Sequence, residues 1–536
     1  MVISNRDFFV PPRKNVLSLF KEFWNRFPRQ QKKHLIAIIT LVFCLPAILG
    51  GVYTIKLYKS EAAITTSQIE GILLAVQFDD FKTHRSTINY YLQTIDNRTQ
   101  RLNIQGNLNI QPGSKVRIKS KMINSQNAPQ IKIPPESISI VTSNSINQMS
   151  AVGTKRVATI LMNFSDTTNN TPNVQDARLN FINRAQPFYD NNSFGKLTVT
   201  GDVYGWYTFP PLNINCNFEC MTQTAINLAD SDINFNNYDQ IIISYYSHLN
   251  SFANSSTVGA WWSWSTNEGL KSFPVAHIET TIFVNSTDSN YVRALSWTLD
   301  HELGHSFGVW HANGWDCGIA TLGNNCKSLD YNDFWDIMGD SITEDLLAHF
   351  SGYHKELFGW FTPSNIQEIT SSGIYEIYPI EKVSNYSQIL KIRRGTNEWY
   401  YLENRVASGF DSNLPPSATD GLIIRIAPTL IGTGDTHLLD STPNSKQFSW
   451  DFEDAGWTYG TTFQDLDNHL EITPLSKQNG VLSVKIKFTD TITPTPTPIP
   501  PNCIPRPSCL DAKPRPCHIP EPADGWCNIS TTPRPK

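Results

Sequence analysis

The sequence predicts a multidomain α+β protein in which an N-terminal signal anchor precedes a small OB-like β-barrel, an α/β domain and a C-terminal β-sandwich. Three observations predict it. At 536 residues the chain is too long for one ordinary core. The stretch from Leu35 to Ile55 is apolar and carries no charge. The apolar periodicity reads as strands up to about residue 146, mixes strand and helix from 150 to 362, and returns to strands from 363 to 490. The expected divisions are a basic cytoplasmic tail (1–34), a membrane segment (35–55), the barrel (61–146), the α/β domain (150–362), the sandwich (363–490), a Pro/Thr-rich linker (491–502) and a Cys/Pro-rich tail (503–536).

The first element, LIAIITLVFCLPAILGGVYTI, is long enough to cross a hydrocarbon core of roughly 30 Å as a helix. Arg6, Arg13, Lys14, Lys21, Arg26, Arg29, Lys32 and Lys33 precede it, whereas only Lys56 and Lys59 follow closely. The positive-inside rule therefore predicts a single-pass membrane protein with everything after the segment outside the cytoplasm. A cleaved signal peptide would make the chain secreted, but the charged leader is longer than such peptides carry. Net charge is −5 with 17% charged residues, and no basic run lies beyond the N-terminus, so no nucleic-acid partner is expected. Cysteine use agrees with an outside location. Cys216, Cys220, Cys317, Cys326, Cys503, Cys509, Cys517 and Cys527 all follow the apolar run, and an even set in an oxidising compartment implies disulfides. Cys317 with Cys326, and bridges within the last four, are the natural pairings; Cys216 with Cys220 is less so.

In the second element, GILLAVQF, INYYLQTI, RLNIQGNL, KVRIKSKM and ISIVTS alternate with turns such as QPGS. Short, evenly spaced strands of this kind suit a small barrel that serves as a spacer, a pro-domain or a binding module. The third element opens on the buried strand RVATILMNF. The helical ARLNFINRAQPFY, the run GKLTVTGDVYGWYTF and the strand YDQIIISYY follow, which together imply an α/β layer. GAWWSWS, with Trp261, Trp262 and Trp264, is either a rim strand that holds an extended substrate or ordinary core. After Trp360 the strands GIYEIYPI, QILKIRR, EWYYLENR, GLIIRIA and GVLSVKIKF predict the sandwich. TPTPTPIPP then forms an extended polyproline spacer.

The chemistry sits in NYVRALSWTLDHELGHSFG and the residues after it. Leu295, Leu299, Leu303 and Phe307 are four apart and share one helical face. His301 and His305 are also four apart, about 200° around from Leu299 and Leu303. One face packs while the other presents two imidazoles to a single point, which suits a tetrahedral zinc ion. Glu302 leaves the helix at another angle, so it can reach an attacking water as general base without ligating the metal. Gly308 stops the helix and lets the chain turn, which returns His311 as third ligand. Three protein ligands leave one position open, the mark of a catalytic zinc site.

H-E-x-x-H-x-x-G-x-x-H followed by DIMGD, with Met338, resembles the metzincin zinc metallopeptidases, whose zinc site is underlain by a methionine turn. The third histidine separates the chain from thermolysin-type and immune-inhibitor-A-like enzymes, which use an acidic third ligand. Through NSFGKLTVTGDVYGWYT, HELGHSFGVWHA, DIMGD, FSGYHKELFGW, YYLENR and GLIIRI the chain looks most like gametolysin-type peptidases over about residues 150–480. The resemblance implies an extracytoplasmic zinc endopeptidase acting on protein or peptide substrates. It implies one catalytic Zn2+ held by His301, His305 and His311, Glu302 as base and Met338 beneath the metal. Residues 61–215 contain no cysteine, so a pro-domain cysteine cannot ligate the zinc to hold the enzyme latent. Tyr353 is a candidate oxyanion donor, with a core role the stronger reading. QDLDNH, Asp465 to His469, could touch calcium but lacks a calcium-loop spacing. The competing functional expectation is a catalytically silent, zinc-containing cell-surface binding or adhesion protein, against which the intact Glu302 and histidine triad argue.

Overall fold

The computed structural model describes residues 67–489 apart from 105–107, 121–131, 143–148, 167–173, 212–215, 246–253, 280–288, 341–346, 429–433 and 447. The N-terminal unit holds β1 (Ser67–Asp80), β2 (Arg85–Gln93), β3 (Thr99–Ile104), β4 (Lys115–Ser120), β5 (Lys132–Ile133) and β6 (Ile138–Thr142). The next unit begins with β7 (Gly153–Phe164), followed by α1 (Val174–Asn180), α2 (Ile182–Asn192), β8 (Leu197–Phe209), α3 (Phe218–Ala229), β9 (Gln240–Tyr245) and β10 (Asn254–Thr257). A hairpin of β11 (Trp262–Thr266) and β12 (Gly269–Phe273) leads to β13 (Val275–Glu279) and α4 (Ser289–Ser306). β7 and β9 are apolar along their central runs and buried on both faces, as the inner strands of a parallel sheet require. α3 starts where the Asn217 side chain accepts the Cys220 amide at 2.9 Å, satisfying a free amide of its first turn.

One sheet spans both units in the order β5-β3-β2-β1-β10-β13-β9-β7-β8, with β4 and β6 attached along β1. β7 lies parallel to β8 and β9, and β9 to β13, whereas β10 is antiparallel to β13. The expected closed barrel is therefore not formed. β1 is fourteen residues long: its first half pairs with β4 and its last residues with β10, so the strand that would close the barrel extends the neighbouring sheet instead. A small apolar core of Leu73, Leu92, Leu102, Val116, Ile118 and Ile138 still holds the N-terminal strands together.

The C-terminal part contains two further sheets. β14 (Ala312–Asp316) and β15 (Lys327–Leu329) are followed by the short helix α5 (Gly352–Leu357), then β16 (Ile366–Glu368), β17 (Gly373–Ile377), β18 (Ile389–Arg394) and β19 (Glu398–Glu403). The chain continues with α6 (Pro416–Thr419), β20 (Ile423–Pro428), β21 (Thr436–Leu438), β22 (Phe463–Asp465), β23 (Leu470–Gln478) and β24 (Val481–Phe488). The seven-stranded sheet runs β15-β14-β21-β20-β19-β18-β16 and the four-stranded sheet β17-β24-β23-β22. They share an apolar core that includes Ile392, Tyr400, Ile424, Ile472 and Val484. β14 follows His311 directly and pairs with β21, so this sheet crosses the expected boundary at 362.

The predicted fold class is thus corrected to a predominantly β chain with α+β character, continuous sheets and no closed barrel among the described residues. The predicted signal anchor is also corrected. Leu35–Ile55 lies outside the described residues, and no helix among those described is long and apolar enough to cross a membrane, so single-pass localisation and membrane attachment are unsupported. Cys216–Cys220 and Cys317–Cys326 are disulfides; the four tail cysteines lie outside the described residues.

Candidate metal centre

α4 carries His301 and His305 one turn apart. Leu299, Leu303 and Phe307 on its other side join the core under the parallel sheet. The side chain of Leu295 lies outside the described set. The helix ends at Gly308, which adopts φ +103° and donates its amide to the His305 carbonyl at 2.8 Å. That left-handed turn is glycine territory and swings His311 back over the helix. His311 is then fixed from the C-terminal part. Its amide donates to Asp435 Oδ1 at 3.1 Å, and its carbonyl accepts the Thr436 amide at 3.0 Å.

The turn that ends at Met338 lies against this arrangement. His301 Nδ1 lies 2.9 Å from the Ile337 carbonyl, and the Ala312 amide donates to the Met338 carbonyl at 3.0 Å. Met338 is fully buried, and a Cβ at Gly304 would stand 2.5 Å from its Sδ. The glycine inside HELGH therefore admits the methionine beneath the helix. Asp336 ties the turn by accepting the Met338 amide at 2.9 Å, the Ser351 amide at 2.8 Å and His354 Nδ1 at 2.8 Å.

Behind the turn lies a buried ionic network built from the distal motifs. Arg425 of GLIIRI pairs with Asp333 and Glu403, and Arg405 of YYLENR pairs with Glu403 at 2.9 Å and Asp411 at 2.8 Å. Glu403 Oε2 accepts the Gly352 amide at 2.8 Å. These residues brace the site from behind and do not enter it.

His301, His305 and His311 converge as their spacing predicts, and a fourth donor joins them. Asp79, at the end of β1, brings Oδ2 to 3.2 Å from His305 Nε2 and 3.6 Å from His301 Nε2, and Oδ1 to 3.1 Å from His311 Nε2. Among the described residues, Asp79, His301, His305 and His311 form the one group of such donors that can hold a metal ion, and all four are buried. The chemistry of this set fits a cation. His305 Nδ1 lies 2.8 Å from the Val309 carbonyl, so in His301 and His305 alike the proton belongs on Nδ1 and Nε2 offers a bare lone pair. His305 Nε2 also lies 3.2 Å from His311 Nε2. The bare Nε2 atoms of His301 and His305 and the Asp79 carboxylate are gathered as the ligands of a cation would be, with His301 Nε2 and Asp79 Oδ2 left without a hydrogen-bond partner, while, against burial, the charge and hydrogen bond of Asp79 raise the pKa of His311, whose Nε2 faces Oδ1. Burial holds His301 and His305 below the usual histidine range, His305 at about 4, in keeping with neutral, ligating imidazoles.

Glu302 stands outside the donor group. It is fully buried, neither carboxylate oxygen has a hydrogen-bond partner, and burial together with the charge of Asp79 pushes its pKa well above the carboxylate range. Tyr331 went unnoticed in the sequence. Its hydroxyl donates to Asp79 Oδ1 at 2.8 Å and its ring centroid lies 4.5 Å from that of His311. Burial, then the charge of Asp79, raises its pKa, so the phenol stays a proton donor. The other sequence candidates lie elsewhere. Tyr353 packs against Tyr401 in a separate apolar cluster. Trp262 and Trp264 stack inside the core at 5.6 Å. Asp465 accepts the Asp467 and Asn468 amides, each at 3.1 Å, so the calcium candidate is a self-capped turn.

No family model and no curated protein matches the chain. Among solved structures, it is similar to archaemetzincin from Methanopyrus kandleri at 13% identity, over 38% of this chain and 93% of that one, with a TM-score of 0.20. A chaperone–substrate complex matches at 10% identity, over 49% of this chain and 35% of that one, with a TM-score of 0.19. At these scores neither likeness bears on the function.

Proposed function

We propose that this chain is a zinc-dependent endopeptidase of metzincin type, most like the gametolysin-type enzymes in its motifs, that hydrolyses peptide bonds in protein substrates. The observation that carries the reading is the convergence of three buried imidazoles, two of which, His301 and His305, turn Nδ1 to a backbone carbonyl, with the buried Glu302 next to His301 in the chain and outside that group. His301, His305 and His311 would hold the ion, with Met338 beneath it. Zinc bound there supplies Lewis acidity to an attacking water and to the scissile carbonyl. Glu302 takes the proton of that water and passes it to the leaving amine. The Tyr331 hydroxyl supplies a hydrogen bond to the developing oxyanion once it is free of Asp79.

The test is cleavage of an unfolded protein by the zinc-loaded chain, before and after nicking of the N-terminal unit by a second protease, against Glu302→Gln treated identically. Glu302→Gln should retain zinc and fold while cleaving on the order of 100-fold or more slowly. Equal cleavage by both forms would sink the assignment of Glu302 as base.

A further inference from the structure

We propose that the end of β1 is a built-in plug: it lies along the strand a substrate would use and places Asp79 on the metal, so the chain is latent as synthesised. This rests on the peptidase reading above. β10 is antiparallel to β13 and, without β1, would be the outer strand on that side; just past it the Gly259 amide donates to the His305 carbonyl at 2.9 Å, so that edge runs beside the histidines. β1 fills that edge with Val76, Gln77, Phe78 and Asp79 opposite Thr257, Ser256, Ser255 and Asn254, and the Val258 amide continues the ladder to the Ala75 carbonyl at 3.0 Å. Peptides are commonly bound by strand addition to such an edge, so β1 takes the place of an extended substrate.

Asp79 then occupies the open fourth position. It contacts all three imidazoles, and it is held there by Gln77 Nε2 at 3.2 Å and the Tyr331 hydroxyl at 2.8 Å. Phe81 covers the site, with ring centroids 4.5 Å from Trp297, 5.1 Å from His301 and 5.4 Å from Tyr331. Beyond Phe81, Ser86 donates through its amide and hydroxyl to Asp330, and His84 pairs with Asp340 at 3.0 Å. The segment is thus pinned on both sides of the metal position. A water and a peptide carbonyl cannot reach that position while Asp79 holds it, and the Tyr331 hydroxyl is engaged by the same carboxylate. The carboxylate does the work that a pro-domain cysteine would do, in a unit that has no cysteine.

The test uses the full chain loaded with cobalt(II) or zinc, as wild type, Asp79→Ala and Asp79→Asn; the asparagine keeps the size of the side chain should the alanine fail to fold. A soluble hydroxamate, which chelates through two oxygens, should alter the cobalt absorption spectrum of the variants and leave that of the wild type unchanged. Peptide cleavage by the zinc forms should rise on the order of tenfold or more in the variants. Equal hydroxamate response and equal cleavage in all three forms would overturn the plug and leave the peptidase reading standing. A response confined to the variants, with no cleavage by any form, would support the plug and count against the peptidase.

Discussion

Gly304 supports the candidate metal centre without touching it. A methyl group there meets Met338 Sδ at 2.5 Å and Phe350 at 3.2 Å, so either the methionine turn or α4 must shift. Gly304→Ala should destabilise the chain by about 1–3 kcal/mol, as overpacked cores do, and should lower zinc affinity because Ile337 and His301 move together. Thermal melts and chelator competition read the two effects. Met338→Leu keeps the volume and should cost less than about 1.5 kcal/mol by the same melts. At this scale the histidines were legible, since helical spacing and a helix-stopping glycine are local signals. Asp79 and Tyr331 were not. They stand 252 positions apart and meet only through the sheet, and an aspartate ending a strand carries no local mark of metal chemistry.

Among the elements, the turn from Asp333 to Met338 depends on the ionic network behind it. Arg425, Asp333 and Glu403 are essentially buried, and removing one partner leaves charge without compensation. Arg425→Met should destabilise the chain by about 3–5 kcal/mol in denaturant titrations and weaken zinc retention as the turn loosens. YYLENR and GLIIRI were noticed in the sequence as part of a resemblance. Their role as braces became visible only with the pairing of β19 and β20. Helix α4 and the apolar strands β7 and β9 follow from periodicity alone. The barrel did not, because strand count and length cannot say whether β1 closes on its own unit or pairs with β10, and β1 is long enough to do both.

For the molecule as a whole, buried neutral histidines set the response to acid. Burial holds His277 and His349 at about 3. The unfolded chain binds these protons near the ordinary histidine value of about 6.5. The contribution is therefore fully present above that value and is lost as pH falls from it toward the folded values. The midpoint of thermal unfolding should drop across that window. His277→Gln should flatten the drop, since His277 lies inside the sheet against Thr222 and Phe218. An unchanged slope in that variant would remove His277 from the account. Sheet continuity was the least legible feature at this scale: the sheets join the N-terminal strands to β10, and β14 to β21, through contacts distant in sequence.

The claim that joins these scales is that His301, His305 and His311 hold a metal ion. It is tested most directly by the zinc content of the purified full chain beside that of His305→Ala, after identical exposure to zinc and removal of loosely bound metal. The account predicts near-stoichiometric zinc in the chain and almost none in the variant. An absence of zinc from the chain, or equal zinc in both, would contradict it.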